Sequence, residues 1–313
     1  MRKIWFLCLC LCIVFIIFIT LTGCSNAIID TTINDAAYDN YGNMGIYIFD
    51  VGKADAILLT TENQTVMIDT GEKKDSQEIT DYLISQDISV IDYMIITHFD
   101  KDHVGGAAEI LHNFNVKALL IPDYKAHTKH YDRLVTAMSE TAINPNILGK
   151  GESFEFILDD IKFTVYASNL DYYDYSAEDD DEDEDEDDDE LENDIPNSNN
   201  FSLVATINHG NNSFLFTGDA KAKRLKELMS NKDITGTEYD FLKVPHHGGY
   251  NKRSAEFINA IHPKYAVITC SEKNPPDSVV VGALEKSGAE IYLTANGNIC
   301  CESDGNNLVL SHR

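Results

Sequence analysis

The stretch "THFDKDHVGG", Thr97 to Gly106, sets two histidines and two aspartates within six positions and ends them with a glycine pair. It directly follows "VIDYMII", an apolar run with the composition of a buried strand. Histidine and aspartate stay deprotonated near neutral pH and are ready metal ligands. If the chain turns sharply after the strand, His98, Asp100, Asp102 and His103 can converge on one place. Gly105 and Gly106 then permit a close backbone approach.

Two other stretches end strand-like runs in the same way. "LFTGD", Leu215 to Asp219, closes on a Gly-Asp turn from which Asp219 can project. "KVPHHGG", Lys243 to Gly249, sets adjacent histidines at a strand end. Adjacent side chains point differently, so one of His246 and His247 is expected on a metal and the other near a substrate.

The rest of the pattern is alternating. "IYIFDV", "AILLTT" and "TVMIDTG" predict strands, and "SQEITDYLISQ" predicts an amphipathic helix. After the opening stretch, "AAEILHNF" predicts a helix and "VKALLIP" a strand. The second half repeats the style. "IKFTVYA", "FSLVATINH" and "SFLFTGD" predict strands, the last two joined by a hairpin turn. "AKAKRLKELMS", "SAEFINAI" and "VVVGALEKSG" predict helices among the strands "YDFLKVP" and "KYAVITC", with the last strands running to Val309. A meander followed by alternating helix and strand, given twice, suits a layered α/β sandwich with sheets inside and helices outside.

The chain has 313 residues, 43% of them hydrophobic, enough to bury a substantial core. Its formal net charge is −28. Seventeen acidic residues, with no Lys or Arg, lie between Asp171 and Asp194; removing them from −28 leaves −11 for the rest. Charge that dense repels itself and brings little apolar surface to offset ordering. Residues 171–198 therefore read as a disordered insertion between strands, either a solvated spacer or a loop that collects calcium or repels polyanions. With 24 basic against 52 acidic residues and no basic stripe, tight non-specific nucleic-acid binding is not expected.

At the N-terminus, Arg2 and Lys3 precede an apolar run from Ile4 to Thr22. "LTGC", Leu21 to Cys24, resembles a bacterial lipoprotein signal, which implies cleavage before Cys24 and a lipid on its sulfur. The alternative is an uncleaved signal anchor; both put the body outside the cytoplasmic membrane. The expected organisation is a signal over 1–23, a tether over 24–43 and one folded domain over 44–313. Outside the signal, Cys270, Cys300 and Cys301 form an odd set that describes no disulfide framework. They read as small buried hydrophobes, with a bridge from Cys270 to one of the pair left open.

In order, H-x-D-x-D-H-x-G-G, N-x-x-S-L-V, T-G-D and P-H-H-G resemble the metallo-β-lactamase fold, a four-layer αββα sandwich. The likeness extends to the hydrolase domain of ComEC-type competence proteins and their stand-alone relatives. "FDVGKADAILL", Phe49 to Leu59, and "MIDTG" match its opening landmarks. The resemblance implies two divalent metal ions. His98 and Asp100 would hold the first; Asp102 and His103 would hold the second, completed by His247 or His246; Asp219 would bridge both. Most of the fold has His where this chain has Asp100. The site is thereby richer in carboxylate, which keeps zinc in the lead and opens manganese or iron. The histidine usual on the first metal is absent, and Asn199 or Asn200 falls in its place. His209 lies too near a hairpin turn to replace it.

Asp69 would orient a ligand. Asp50 and Asp55 fall in the first loop of the site, and Asn199, Lys243 and Ser254 are placed around the ligands or the substrate. The activity implied is hydrolysis by a hydroxide held between two ions. Asp102 or Asp219 would position that nucleophile and His246 would meet the leaving group. Lys53, Lys101, Lys243 and Arg253 either attract an anion or are solvated charges. The expected substrate is a phosphodiester or another anionic species, in a nucleic acid, a teichoic-type polymer or a lipid head group. A lactone or ester hydrolase and a non-catalytic lipid-anchored binding protein are the alternatives. "NPPDS", with Pro275 and Asp277, stands where relatives often carry His-Pro-His. Nothing in the sequence sets an oligomeric state.

Overall fold

Two mixed sheets lie face to face, each antiparallel in one half and parallel in the other. The computed structural model describes residues 43–170 and 198–313. The expected signal, the tether with Cys24, and all but the last residue of the acidic insertion lie outside the described residues.

The first sheet opens with the meander β1 (Met44–Ile48), β2 (Ala56–Thr60) and β3 (Thr65–Thr70). It continues through the parallel strands β4 (Val90–Ile95), β5 (Asn115–Pro122) and β6 (Asn146–Leu148). The helices of this half are α1 (Ser76–Ser85), α2 (Lys101–Val104), α3 (Ala107–Asn113) and α4 (Lys129–Thr141). The second sheet repeats the plan. Its meander is β7 (Ser153–Leu158), β8 (Ile161–Tyr166), β9 (Val204–His209) and β10 (Asn212–Phe216). Strands β11 (Phe241–Lys243), β12 (Tyr265–Ile268) and β13 (Glu290–Leu293) follow in parallel. Here the helices are α5 (Ala222–Ser230), α6 (Lys232–Thr235), α7 (Ser254–Ile261) and α8 (Ser278–Ser287). The chain then returns to the first sheet with β14 (Ile299–Ser303) beside β1, and β15 (Leu308–His312) at the edge.

Both faces of each sheet are covered, which explains the unbroken apolar runs. In "AILL", Ile57 faces the other sheet and packs with Phe163, Phe214 and Phe241, while Leu58 faces the helical layer with Leu83 and Leu111. On the second sheet Leu215, Leu242 and Ala266 meet Leu225, Phe257 and Leu284 of the outer helices. The layers are therefore helix, sheet, sheet, helix. Tyr93, Phe156 and Phe163 stack across the central core at centroid distances of 3.8 and 4.8 Å. Truncating the fully buried Phe163 to Ala is expected to cost about 3–5 kcal/mol.

The expected sandwich is present, but β6, β7 and α4 had no sequence expectation. Helix α4 buries only Leu134 and Ala137, so its apolar stripe is thin. Its start is fixed by Thr128, whose side chain accepts from the Tyr131 N–H. The three cysteines are free buried thiols, which closes the bridge left open for Cys270.

Candidate metal centre

The histidine-aspartate motifs all lie just beyond the C-terminal ends of parallel strands, where open α/β sheets place their sites. Asp69 ends β3, Thr97 and His98 follow β4, Asp219 follows β10, His246 and His247 follow β11, and Thr269 follows β12. Asp69, His246 and His247 have φ of 55°, 49° and 52°. Left-handed non-glycine residues cost energy and persist where surrounding contacts over-determine them. Gly248, at φ 76°, completes the turn, and an added Cβ there would lie 2.7 Å from Pro276 Cβ. Asp277 N donates to Gly248 O at 2.9 Å, so "NPPDS" buttresses the histidine turn and caps α8.

The glycine pair acts as expected. A Cβ on Gly105 would lie 2.2 Å from Lys101 O, and one on Gly106 would lie 2.5 Å from Thr70 O. The opening motif is thereby pressed against the loop after β3.

Four side chains converge. His247 Nε2 lies 3.0 Å from Asp219 Oδ2, 3.3 Å from Asp102 Oδ2 and 3.3 Å from His103 Nε2. His103 Nε2 lies 3.2 Å from Asp219 Oδ2. One ligand atom from each of Asp102, His103, Asp219 and His247 falls within 4.8 Å of all the others. The sequence reading sets His247 on the metal with His246 as the alternative; the fold puts His247 in this cluster. His246 is buried with its ring centroid 6.4 Å from that of His247, and its N–H donates to Gly218 O at 3.3 Å.

The outer nitrogens are fixed. Asp69 Oδ2 lies 2.7 Å from His103 Nδ1 and also accepts from Thr97 Oγ1, while its Oδ1 accepts from Thr97 N. His247 Nδ1 faces Thr269 Oγ1 at 2.9 Å and Thr269 O at 3.1 Å. Thr269 Oγ1 in turn donates to Asp55 Oδ1 at 2.6 Å. Such partners set which nitrogen faces the ligand space. Asp55, Asp69 and His103 also approach one another, but Lys243 engages Asp55 and Thr97 engages Asp69, so these two carboxylates are supports and His103 belongs with the four-residue cluster.

The first-ion residues form a looser set. His98 is fully buried, and its Nε2 has no hydrogen-bond partner and faces Asp100 Oδ2 at 3.4 Å. Asp100 Oδ1 accepts from Ser198 Oγ at 2.9 Å. Beside Ser198, the buried Asn199 Oδ1 also has no hydrogen-bond partner. Asn200 Oδ1 instead accepts from Arg224 N. The choice between the two asparagines therefore falls on Asn199. Asp219 turns Oδ1 toward Lys243 Nζ, 3.5 Å away, and Oδ2 toward His103 and His247.

The field is that of a cation site. Burial alone would raise the Asp219 carboxyl, but His103, His247 and Lys243 outweigh it and hold it well below the usual range. Asp102 is lowered likewise, with burial outweighed by His103 and His247. Burial alone would lower His247; Asp219, Asp55 and Asp102 overcome it and the repulsion of Lys243, raising it to about 9. His103 is raised well above its ordinary value, with Asp219 and Asp69 overcoming burial. Orphaned His98 and Asn199 atoms and this convergent donor set fit divalent metal.

Other expected residues stand apart. Lys243 is 1% exposed, so it supports the site from beneath and does not attract substrate. Asp50 is exposed, with its N–H donating to Asn298 Oδ1. Ser254 Oγ accepts from Asn251 N at the start of α7. Arg253 pairs with Glu256, and His209 bonds Ser303 at the far hairpin. Thr97, Thr269 and Ser198 had no sequence expectation. Thr97 alone left a signal, as the polar end of an apolar strand beside His98.

A family model described as the metallo-beta-lactamase superfamily matches residues 49–271. ComE operon protein 3 of Bacillus subtilis (strain 168) is 25% identical over 80% of this chain and 32% of its own length. Recombination protein 2 of Haemophilus influenzae is 26% identical over 72% of this chain and 24% of its own. The chain thus spans about a third or less of these relatives. The solved metallo-beta-lactamase fold protein YhfI from Bacillus subtilis has a TM-score of 0.48 at 8% identity, covering 86% of this chain and 100% of that one. With the family model matching most of the chain and the ligand motifs assembled at the strand ends, the chain belongs to the metallo-beta-lactamase superfamily of hydrolases.

Proposed function

We propose that the protein is a metal-dependent phosphodiesterase, nuclease-like in its chemistry, anchored through lipid on Cys24 and facing outward from a bacterial cell membrane. The observation that carries the catalytic part is the convergence of Asp102, His103, Asp219 and His247. These four would hold one divalent ion; His98 and Asp100, with Asn199 beside them, would hold the other. Zinc leads, and the carboxylate-rich set suits manganese or iron as well. Bound metal supplies Lewis-acid activation of water and stabilisation of developing oxyanion charge.

The chain's own residues do the rest. Asp69 and Thr269 hold the outer nitrogens of His103 and His247, so both present Nε2 to the centre. Asp102, at the more open side of the cluster, is placed to orient the attacking water. His246, buried next to the cluster, is placed to meet a leaving group. A phosphodiester suits a centre built to neutralise anionic oxygens, and one relative is named for recombination. The acidic balance of the chain argues for acting on a substrate brought to it over gripping a long polyanion.

Elemental analysis of the purified protein, followed by a phosphodiester, lactone and amide panel with zinc, manganese or iron restored, tests this reading. Two equivalents of metal and phosphodiester cleavage are expected, with loss of cleavage in Asp102→Ala/His103→Ala. Cleavage undiminished in that variant would sink it. One equivalent and no hydrolysis would favour the second reading, a lipid-anchored binding protein. What favours that alternative is that, among the described residues, Asn199 and not a histidine stands beside His98 and Asp100.

A further inference from the structure

Arg224 of α5 is a buried arginine that follows the Thr217–Asp219 turn at the start of the next helix, and each of its groups is engaged. Its Nη1 pairs with Glu227 Oε1 at 2.6 Å, one turn further along the helix. Its Nη2 donates to Tyr166 O at 2.8 Å and its Nε donates to Ser202 O at 3.2 Å. Its backbone N–H donates to Asn200 Oδ1. Glu227 completes the pattern. Its Oε1 accepts from Asn169 N and Asn169 Nδ2, and its Oε2 accepts from Ser168 Oγ, all at 2.9 Å.

Tyr166, Ser168 and Asn169 lead into residues 171–197, and Asn200 and Ser202 lead out of them. One ion pair therefore grips both roots of the acidic insertion. The exit root is also the loop that touches the metal centre. Ser198 Oγ donates to Asp100, Ser202 Oγ accepts from Asp219 N at 3.3 Å, and Leu203 N donates to Thr97 O at 2.8 Å. The same short loop carries the orphaned Asn199 Oδ1.

We propose that Arg224 and Glu227 are positioning residues for the metal centre: they fix the 198–203 loop against Asp100 and Asp219 from outside the site, so that its placement does not depend on residues 171–197. The insertion is then a module whose length and charge can change without disturbing the ligands. Its consequence for metal rests on the proposed function, whereas the anchoring itself does not.

Two variants of the full chain test the proposal. One replaces residues 171–197 by a flexible Gly-Ser linker of about six residues. The other is Arg224→Met/Glu227→Met, which removes both charges together, because a single substitution leaves a buried charge unpaired and endangers folding. Hydrogen exchange of the 198–203 amides is measured on metal-free protein. Zinc affinities are then measured by titration, with His98→Ala and His247→Ala identifying the two equivalents. The linker variant is expected to keep amide protection and both affinities within about threefold. The double variant is expected to lose protection in this loop and to weaken the equivalent that His98→Ala removes by about ten- to a hundredfold. The equivalent that His247→Ala removes meets this loop only through the backbone of Asp219 and should weaken by less. A linker variant that loses loop protection overturns the proposal, as does a double variant that keeps it. Wild-type protein that takes up no zinc strikes the proposed function and leaves the exchange result to decide the anchoring.

Discussion

Lys243 and Asp55 form an ion pair at 2.5 Å beneath the ligand cluster, with both residues 1% exposed. The pair is what allows three more carboxylates to sit nearby. Lys243 also reaches Asp219 Oδ1, and Asp55 holds Thr269 behind His247. Removing one partner of a buried pair leaves an uncompensated charge. Lys243→Met is therefore expected to destabilise the metal-free protein by about 3–5 kcal/mol. Urea unfolding measures this, and a loss below about 1 kcal/mol would contradict a structural role for the pair.

Asp69 makes three hydrogen-bonding contacts that act on His103 and the strand end before His98. Asp69→Asn keeps the shape but replaces one acceptor oxygen with a donor nitrogen. Affinity for the ion held by His103 and His247 should fall about ten- to a hundredfold. Competition against a chromogenic chelator reads the change, and unchanged affinity would mean that Asp69 supports only the fold.

The centre should take up metal more tightly as pH rises. His247 is raised to about 9 in the metal-free protein, with Asp219 the leading cause that overcomes burial. A metal ion must displace that proton, so affinity should increase by up to about tenfold per pH unit per proton released, levelling off above about pH 9. The sign for metal-free stability is opposite. A raised imidazole contributes fully below its unfolded value of about 6.5, and the contribution is lost as pH rises through about 9. Titration calorimetry in buffers of different ionisation heat measures the released protons. Metal affinity that stays flat between pH 6.5 and 9 would refute this coupling.

Gly248 is required by both its conformation and its neighbours. At φ 76°, with Pro276 Cβ 2.7 Å from the position of an added Cβ, Gly248→Ala is expected to cost more than about 1 kcal/mol. Because His247 directly precedes Gly248 in the same left-handed turn, the strain should reach it and weaken its ion as well. Thermal unfolding with and without metal checks both effects. An increase in stability would show that the left-handed turn relaxes freely.

The sandwich and most of the candidate ligands were legible in the sequence. Apolar runs such as "AILL" and "VIDYMII" must be buried on both faces, and that requires helices outside paired sheets. His98, Asp100, Asp102 and His103 were legible because one sharp turn brings near neighbours together. Asp219 and His247 were legible because their strand-end motifs follow in the order of the superfamily. Helix α4 was not, since only Leu134 and Ala137 mark its buried face. How far His246 stands from the cluster was visible only in the fold, because consecutive left-handed residues aim adjacent side chains in ways no periodicity encodes. Packing also turned Lys243 from an expected anion attractor or solvated charge into a buried counter-ion, and it brought Ser198 and Thr269 to the centre. Those partners come from strands and helices far apart in the chain, and only the packing of the layers brings their polar atoms within hydrogen-bonding distance.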